Sequence, residues 1–363
     1  MNNLISTLKR IAFILVVFLL ISTVQSPSYG QGRGKIYWTE FDSDTKKGKI
    51  RRANLNGSSA ENVLTDIPPI VDFALDLRNR KIYWSENYTA KIQRSNLDGS
   101  NVENIVTGYD LPPGGGGMSI RCRNWKCEGT ATPKDGAPIN LTHEQLIDPN
   151  CIAIDSDANK IYWGNGHLDI FQRANFDGSD IEDIIIKERI LPFEIKFKQW
   201  LQPLSIELDL EAGKIYWTDA YGRKIQRANF DGSDAEDLVT DMRTAYGLAL
   251  DMSARQMYWT NTVTGKIQRA FLNGNKVEEL VTGLRFPSDI VLDIRARKMY
   301  WIDIDLDTDI GKMQRANLDG SNVRDILTGL DYPSDIALDP NGFYDVSSDT
   351  DKLTTTWANM KSQ

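Results

Sequence analysis

The chain has 363 residues, with 42 Lys and Arg against 50 Asp and Glu, two His and three Cys. That length allows a large packed core, and the composition is neither collagen-like nor that of a small disulfide-stapled domain. A formal net charge of −8 excludes a nucleic-acid partner held through its phosphates and suits basic or neutral partners better.

The first element in chain order lies outside the fold. Lys9 and Arg10 precede the apolar run Ile11 to Val24, which is short for a membrane span, and Ser28-Tyr29-Gly30 offers small residues before Gln31. The pattern predicts a signal peptide over residues 1–30 and a mature chain with no transmembrane segment, placing the protein as secreted, periplasmic or at the cell surface. An uncleaved N-terminal anchor is the rival reading.

From residue 31 to 340 one unit recurs. Its core phrase is Lys35-Ile36-Tyr37-Trp38-Thr39-Glu40, repeated with variation at Tyr83-Trp84, Tyr162-Trp163, Tyr216-Trp217-Thr218-Asp219, Tyr258-Trp259 and Tyr300-Trp301. The tyrosines are spaced by 46, 79, 54, 42 and 42 residues. A base period of 42 is that of a four-stranded propeller blade. In the copy beginning at Ser205, strands are predicted over Ile206–Asp209, Lys214–Thr218, Lys224–Asn229 and Glu236–Thr240. Every copy carries Asn-Gly or Asp-Gly between its third and fourth strands, at Asn56-Gly57, Asp98-Gly99, Asp177-Gly178, Asp231-Gly232, Asn273-Gly274 and Asp319-Gly320. These dipeptides suit tight primed hairpin turns.

The chain enters on a second strand, Gly34 to Thr39, and leaves on an orphan first strand, Ser334 to Asp339. Pairing the two closes the ring and removes open sheet edges. The expected fold is therefore all-β, a six-bladed β-propeller of four-stranded antiparallel blades closed by its N- and C-terminal strands.

Tyr216-Trp217-Thr218-Asp219, with the Ile-Gln-Arg-Ala-Asn and Asp-Gly-Ser phrases, resembles the low-density lipoprotein receptor class B, or YWTD, repeat family. The resemblance runs from Gly34 to Asp339 and implies the same six-bladed propeller. The animal receptors flank that propeller with cysteine-rich growth-factor-like modules, which three cysteines cannot build, so their particular partners are not carried over.

Residues that every blade shares are read as packing. They are the six phrase tryptophans, the arginines at 52, 94, 173, 227, 269 and 315, and the strand-ending aspartates at 76, 155, 209, 251, 293 and 339. The acids and arginines are expected to form repeated charge-assisted hydrogen bonds within or between blades.

Function is sought where the repeat breaks. Surplus chain lies at Phe41 to Gly48, near 109–150 and near 188–204, in connections that an up-down blade sends to one rim. Tyr109, Trp125 and Trp200 fall in the two long insertions and are candidate anchors for a protein contact; packing the insertions onto the propeller is the equally weighted alternative. Four positions before each strand-ending Asp the column reads Asp72, Cys151, Ser205, Gly247, Asp289, Asp335. The three acids fall on consecutive blades and form an expected acidic arc favouring a basic ligand or an amine, with solvated loop-start carboxylates as the bland alternative. Two positions further in, Glu207 is the one acid among Ala74, Ala153, Ala249, Val291 and Ala337.

Cys122 and Cys127 are a candidate disulfide, with Cys151 left as a buried thiol. Other pairings, or a mixed site with His143 and His167, remain open. Gly114 to Gly117 reads as a hinge. No nucleophile elbow, phosphate-cradling loop or His-Glu-x-x-His phrase is present, so neither an enzyme nor a cofactor is expected. Residues 341–363 form a tail with Leu353, Trp357 and Met360 at helical spacing. The expected function is an exported binding module for a protein or peptide. A metal-dependent hydrolase or lyase in the channel, and a structural surface protein, are the alternatives.

Overall fold

The computed structural model describes residues 34–86, 89–108, 117–123, 126–132, 139–141, 148–166, 170–184 and 203–341, the stretches between 117 and 141 by their backbone alone. The expected signal peptide, the tail beyond 341 and most of the 188–204 insertion lie outside these residues.

All described regular elements are strands, and six four-stranded antiparallel sheets account for the repeat. Blade one holds β1 (Lys35–Asp42), β2 (Lys47–Asn54) and β3 (Glu61–Ile67), and blade two β4 (Asp72–Asp76), β5 (Lys81–Glu86), β6 (Lys91–Asn96) and β7 (Glu103–Thr107). A separate three-stranded sheet follows within the first long insertion: β8 (Gly117–Arg123), β9 (Lys126–Thr132) and β10 (Ile139–Leu141). It has no counterpart in the repeat, and Gly117 opens a strand where the sequence suggested a hinge.

Blade three comprises β11 (Pro149–Asp155), β12 (Lys160–Asn165), β13 (Ile170–Asn175) and β14 (Glu182–Ile184). Blade four comprises β15 (Pro203–Asp209), β16 (Lys214–Asp219), β17 (Lys224–Asn229) and β18 (Glu236–Val239). Blade five has β19 (Ala245–Asp251), β20 (Gln256–Asn261), β21 (Lys266–Phe271) and β22 (Glu278–Thr282). Blade six has β23 (Pro287–Asp293), β24 (Lys298–Asp305), β25 (Ile310–Asn317) and β26 (Arg324–Asp331). The last strand, β27 (Pro333–Asp339), pairs with β1 in the register Ile36 to Leu338 and Trp38 to Ile336, so the expected closure is present.

The phrase strands are buried along nearly their whole length, whereas the fourth strands of blades two and five are exposed at three of their five residues. The cause is two-sided packing: consecutive residues of a strand point to opposite faces, and each blade is sandwiched between two others. The tyrosine of one blade therefore faces forward and the adjacent tryptophan backward. Six inter-blade cores result, each pairing a tyrosine with the tryptophan of the next blade, as Tyr162 with Trp217, Tyr216 with Trp259 and Tyr300 with Trp38.

The Asp-Gly hairpins are not primed turns. In blade two the Asn96 carbonyl accepts the Gly99 amide at 2.9 Å, and only the glycine of the Asp98-Gly99 pair has positive φ. This is a turn followed by a left-handed glycine. Asp98 instead caps the turn, its Oδ1 accepting from the Ser100 amide at 2.9 Å. The Asx cap explains why Asp replaces Asn freely here.

The repeated acids and arginines prove to have different partners. Each strand-ending Asp caps its own turn, as when Asp155 Oδ1 accepts from the Asp157 and Ala158 amides at 3.0 and 2.9 Å. The arginines clamp seams: Arg227 donates to Glu236 at 2.6 Å, to the Tyr216 hydroxyl at 3.1 Å and to the Leu272 carbonyl of the next blade at 3.0 Å. Arg52, Arg94 and Arg269 likewise reach Leu97, Phe176 and Leu318 carbonyls.

One blade departs from this scheme. Arg315 lies opposite Arg324, where the other five blades set Glu61, Glu103, Glu182, Glu236 and Glu278 opposite their arginines. Arg324→Glu is expected to stabilise the protein by about 0.5 kcal/mol, the gain of replacing an exposed like-charge cross-strand pair. A thermal melt at low and high salt checks it: the gain should shrink with salt.

Candidate functional site

Strand polarity selects the working rim. Gly48 pairs with Ile67 and Glu40 with Pro333, so the start of β2, the end of β3 and the start of β27 share one end of their sheet. Links from second to third strands and from one blade to the next therefore emerge on one side of the ring. The chain leaves β7 at Thr107 and re-enters at Pro149 there, and leaves β14 at Ile184 and re-enters at Pro203 there.

The axial channel is built by the first strand of every blade and encloses about 450 Å³. Ala74, Ala153, Val291 and Ala337 line it, their small side chains leaving the lumen open, together with Glu207 and Tyr246. Asp72, Asp289 and Asp335 face the same lumen.

The aspartate column proves to be a set of seam latches, with side chains accepting from backbone amides of the following blade. Asp289 Oδ2 accepts from the Ile336 amide at 3.3 Å, Asp335 Oδ2 from Phe73 at 2.7 Å, and Asp72 Oδ2 from Ile152 at 2.7 Å. Ser205 Oγ plays the same part for Leu248 at 3.2 Å. Gly247 occupies the column where a Cβ would stand 2.7 Å from the Asp289 Cα. Asp289, Asp335 and Asp72 thus belong to blades six, one and two, adjacent around the ring as expected, each lining the lumen while one carboxyl oxygen is held by a seam amide.

Burial dominates the electrostatics. It raises the Asp72 carboxyl to about 7 against hydrogen bonds from the Asp335 carboxyl and two amides that favour the ionised form. Burial likewise lifts Asp289 and Asp335, the latter further through the charges of its two neighbours. Glu207 is pushed to about 8 by burial first, then by Asp289 and Asp72. Tyr246 and the Cys151 thiol are also raised, chiefly by burial. Asp72 and Glu207 are therefore partly protonated near neutral pH, and with Asp289 and Asp335 also raised the arc presents less negative charge than four exposed carboxylates would. Cys151 is free and wholly buried, an inert thiol.

Tyr109, Trp125 and Trp200 lie outside the described residues, as do His143 and His167. Cys122 and Cys127 stand directly opposite each other in the β8–β9 register; their side chains are not among those described. Among the described residues no group of three His, Cys, Asp or Glu is placed to hold a metal ion, and no helix is long and apolar enough to cross a membrane.

Sequence reasoning overlooked Tyr246, the one aromatic in its column beside Val71, Asn150, Leu204, Ser288 and Ser334. It also overlooked Tyr221 and Val263, which project from equivalent second-to-third links on the working rim at 65% and 56% exposure. Their signal was available: apolar residues recur at the tips of these links, exposed Leu306 of blade six among them.

Comparison with known proteins agrees with this architecture. The model of the low-density lipoprotein receptor repeat class B matches residues 213–252 and 297–340. The human low-density lipoprotein receptor-related protein 5-like protein is 34% identical over 210 residues, 57% of this chain and 63% of that one. Low-density lipoprotein receptor-related protein 1 of Pyricularia oryzae is 32% identical over 111 residues, 29% of this chain and 33% of that one. The chain thus spans less than two thirds of the length of these curated relatives. Among solved structures, a chain of the nidogen/laminin complex superposes with a TM-score of 0.60 at 20% identity, covering 84% of this chain and 98% of that one, a likeness of fold. The matched repeats lie in a ring whose other blades carry the same phrase in the same register, so the chain is a six-bladed propeller containing repeats of the low-density lipoprotein receptor class B type at residues 213–252 and 297–340.

Proposed function

We propose that the chain is an exported, non-enzymatic binding module that takes a protein or peptide ligand on the insertion-bearing rim. The carrying observation is the asymmetry of the ring: strand polarity delivers both long insertions and the aspartate-bearing end of the axial channel to one rim. The other rim carries short turns. Exposed Tyr221 and Val263 add apolar contact area on the same side, and relatives named as receptor-related proteins fit a recognition role.

Asp72, Asp289, Asp335 and Glu207 would line the seat of the ligand, a basic group being favoured once it displaces their protons. Tyr109, Trp125 and Trp200 would supply anchors from the insertions. The apolar run behind Lys9 and Arg10 supports export.

The test is affinity capture from the exported fraction with three baits: the parent protein, Tyr221→Glu with Val263→Glu, and Val102→Glu on the opposite rim. The expected result is loss of captured partner with the first variant and retention with the second, at unchanged melting temperature. Equal capture by all three would overturn the reading. Stabilisation by calcium or zinc, reversed by a chelator, would favour a metal-dependent activity in the channel instead.

A further inference from the structure

The axial acids stand where the ring is sealed. β27 is the strand that completes blade one, and Asp335 near its start is only 7% exposed. Its Oδ1 and the Oδ2 of Asp289 in blade six converge on one donor, the Ile336 amide, at 2.8 and 3.3 Å, and its Oδ2 takes the Phe73 amide beside Asp72 of blade two at 2.7 Å. Each carboxyl also holds an amide across a seam, so three consecutive seams converge on this cluster. Two carboxyl groups can share a hydrogen bond only if one of them keeps its proton. Thr39 and Ser334, the polar neighbours of Asp335 on its own blade, are neutral.

We propose that Asp72, Asp289 and Asp335 form a proton-held latch on the closing strand, so that acidification tightens the ring and alkalinisation loosens it at β27. The groups facing the latch from the remaining blades are Cys151 of blade three, Glu207 of blade four and Tyr246 of blade five, with Tyr332 just ahead of β27. None is a cation, and no Lys, Arg or His is among the described residues lining the channel. The seam amides offset part of the charge of each carboxylate, but no cation compensates a second or third one.

The sign follows from linkage. Folded values here lie above the ordinary carboxyl value of 3.8, Asp72 reaching about 7. Stability contributed by such groups is complete below the unfolded value and is lost as pH rises through the folded one. Glu207, at about 8, extends the window upward. The protons belong to the cluster rather than to any single carboxyl.

The test is a melting-temperature profile of the full chain and of Asp335→Asn. The parent is expected to lose roughly 5 °C between about pH 5.5 and pH 8.5. The asparagine keeps an acceptor for Phe73 and supplies permanent N–H donors to Asp72 and Asp289. Its profile should therefore be flatter, with a higher melting temperature at the alkaline end. Hydrogen exchange in residues 333–339, corrected for intrinsic rate, should rise with pH relative to blades four and five.

If the variant does not fold, the parent alone decides. Its infrared spectrum at about pH 6.5 should retain a protonated-carboxyl band that fades toward pH 8.5. A parent profile that is flat or rises over this window, a variant as steep as the parent, or no such band would each overturn the latch.

Discussion

Trp217→Ala is expected to lower folding stability by about 3–5 kcal/mol, the usual cost of emptying a large aromatic site in a core that cannot collapse around it. Trp217 is wholly buried and meets Phe171 of the preceding blade edge-on, with ring centroids 5.1 Å apart. Its core also contains Cys151, Tyr162 and Ile184 from blade three and Ile206, Ile215 and Ala228 from its own blade. Backbone ladders on both sides hold these walls apart, so the cavity persists. Urea denaturation gives the measurement, with Tyr221→Ala on the same blade as control. Tyr221 is 65% exposed, and its loss should change stability by no more than about 0.5 kcal/mol. A Trp217→Ala loss below about 1 kcal/mol would mean that the layers between blades are not the core.

Those layers explain what was legible in the sequence. The Tyr-Trp dipeptide reports a strand buried on both faces, and only a sheet sandwiched between two others buries both faces six times over. Blade number, strand order and the closure by β27 follow from residues that repeat in register. The same alignment found Asp72, Asp289 and Asp335, acids of one column on consecutive blades, and Glu207, the one acid of its column. It could not show which way their carboxyls turn. The partners are the amides of Phe73, Ile152 and Ile336, and a backbone donor leaves no mark on the side-chain pattern.

The arginine column forms the expected charge-assisted hydrogen bonds within and between blades, but its partners were not legible for the same reason. Half of each clamp is a carbonyl on the next blade, and the strand-ending acids that looked like natural partners are occupied by their own turns. The β8–β10 sheet escaped because it has no period to align. A proton latch differs again: its residues were found, but burial sets its chemistry, and burial depends on the whole ring being closed.

Gly178→Ala should be about as damaging as a core truncation, although it adds only one methyl group to a surface hairpin. The glycine has φ +82°, and a Cβ there would lie 1.9 Å from the Ile105 carbonyl oxygen on the fourth strand of the preceding blade. The hairpin cannot move away. Arg94 of that blade donates to the Phe176 carbonyl at 2.8 Å, and the Phe176 ring lies on Tyr83 with centroids 5.0 Å apart. Left-handed strain and the collision together should cost on the order of 3 kcal/mol.

Gly213→Ala separates the two effects. Gly213 also has positive φ, +63°, but nothing lies within 4 Å of its Cβ direction. Strain alone should then cost about 1 kcal/mol. Denaturation midpoints of the two variants measure the difference. If they match, the hairpin glycines serve only turn geometry. If Gly178→Ala costs much more, the repeated Asp-Gly dipeptide carries two constraints, a local one on the turn and a distant one on the seam. The second is a reason for glycine to recur where asparagine, which tolerates the left-handed region, would otherwise do.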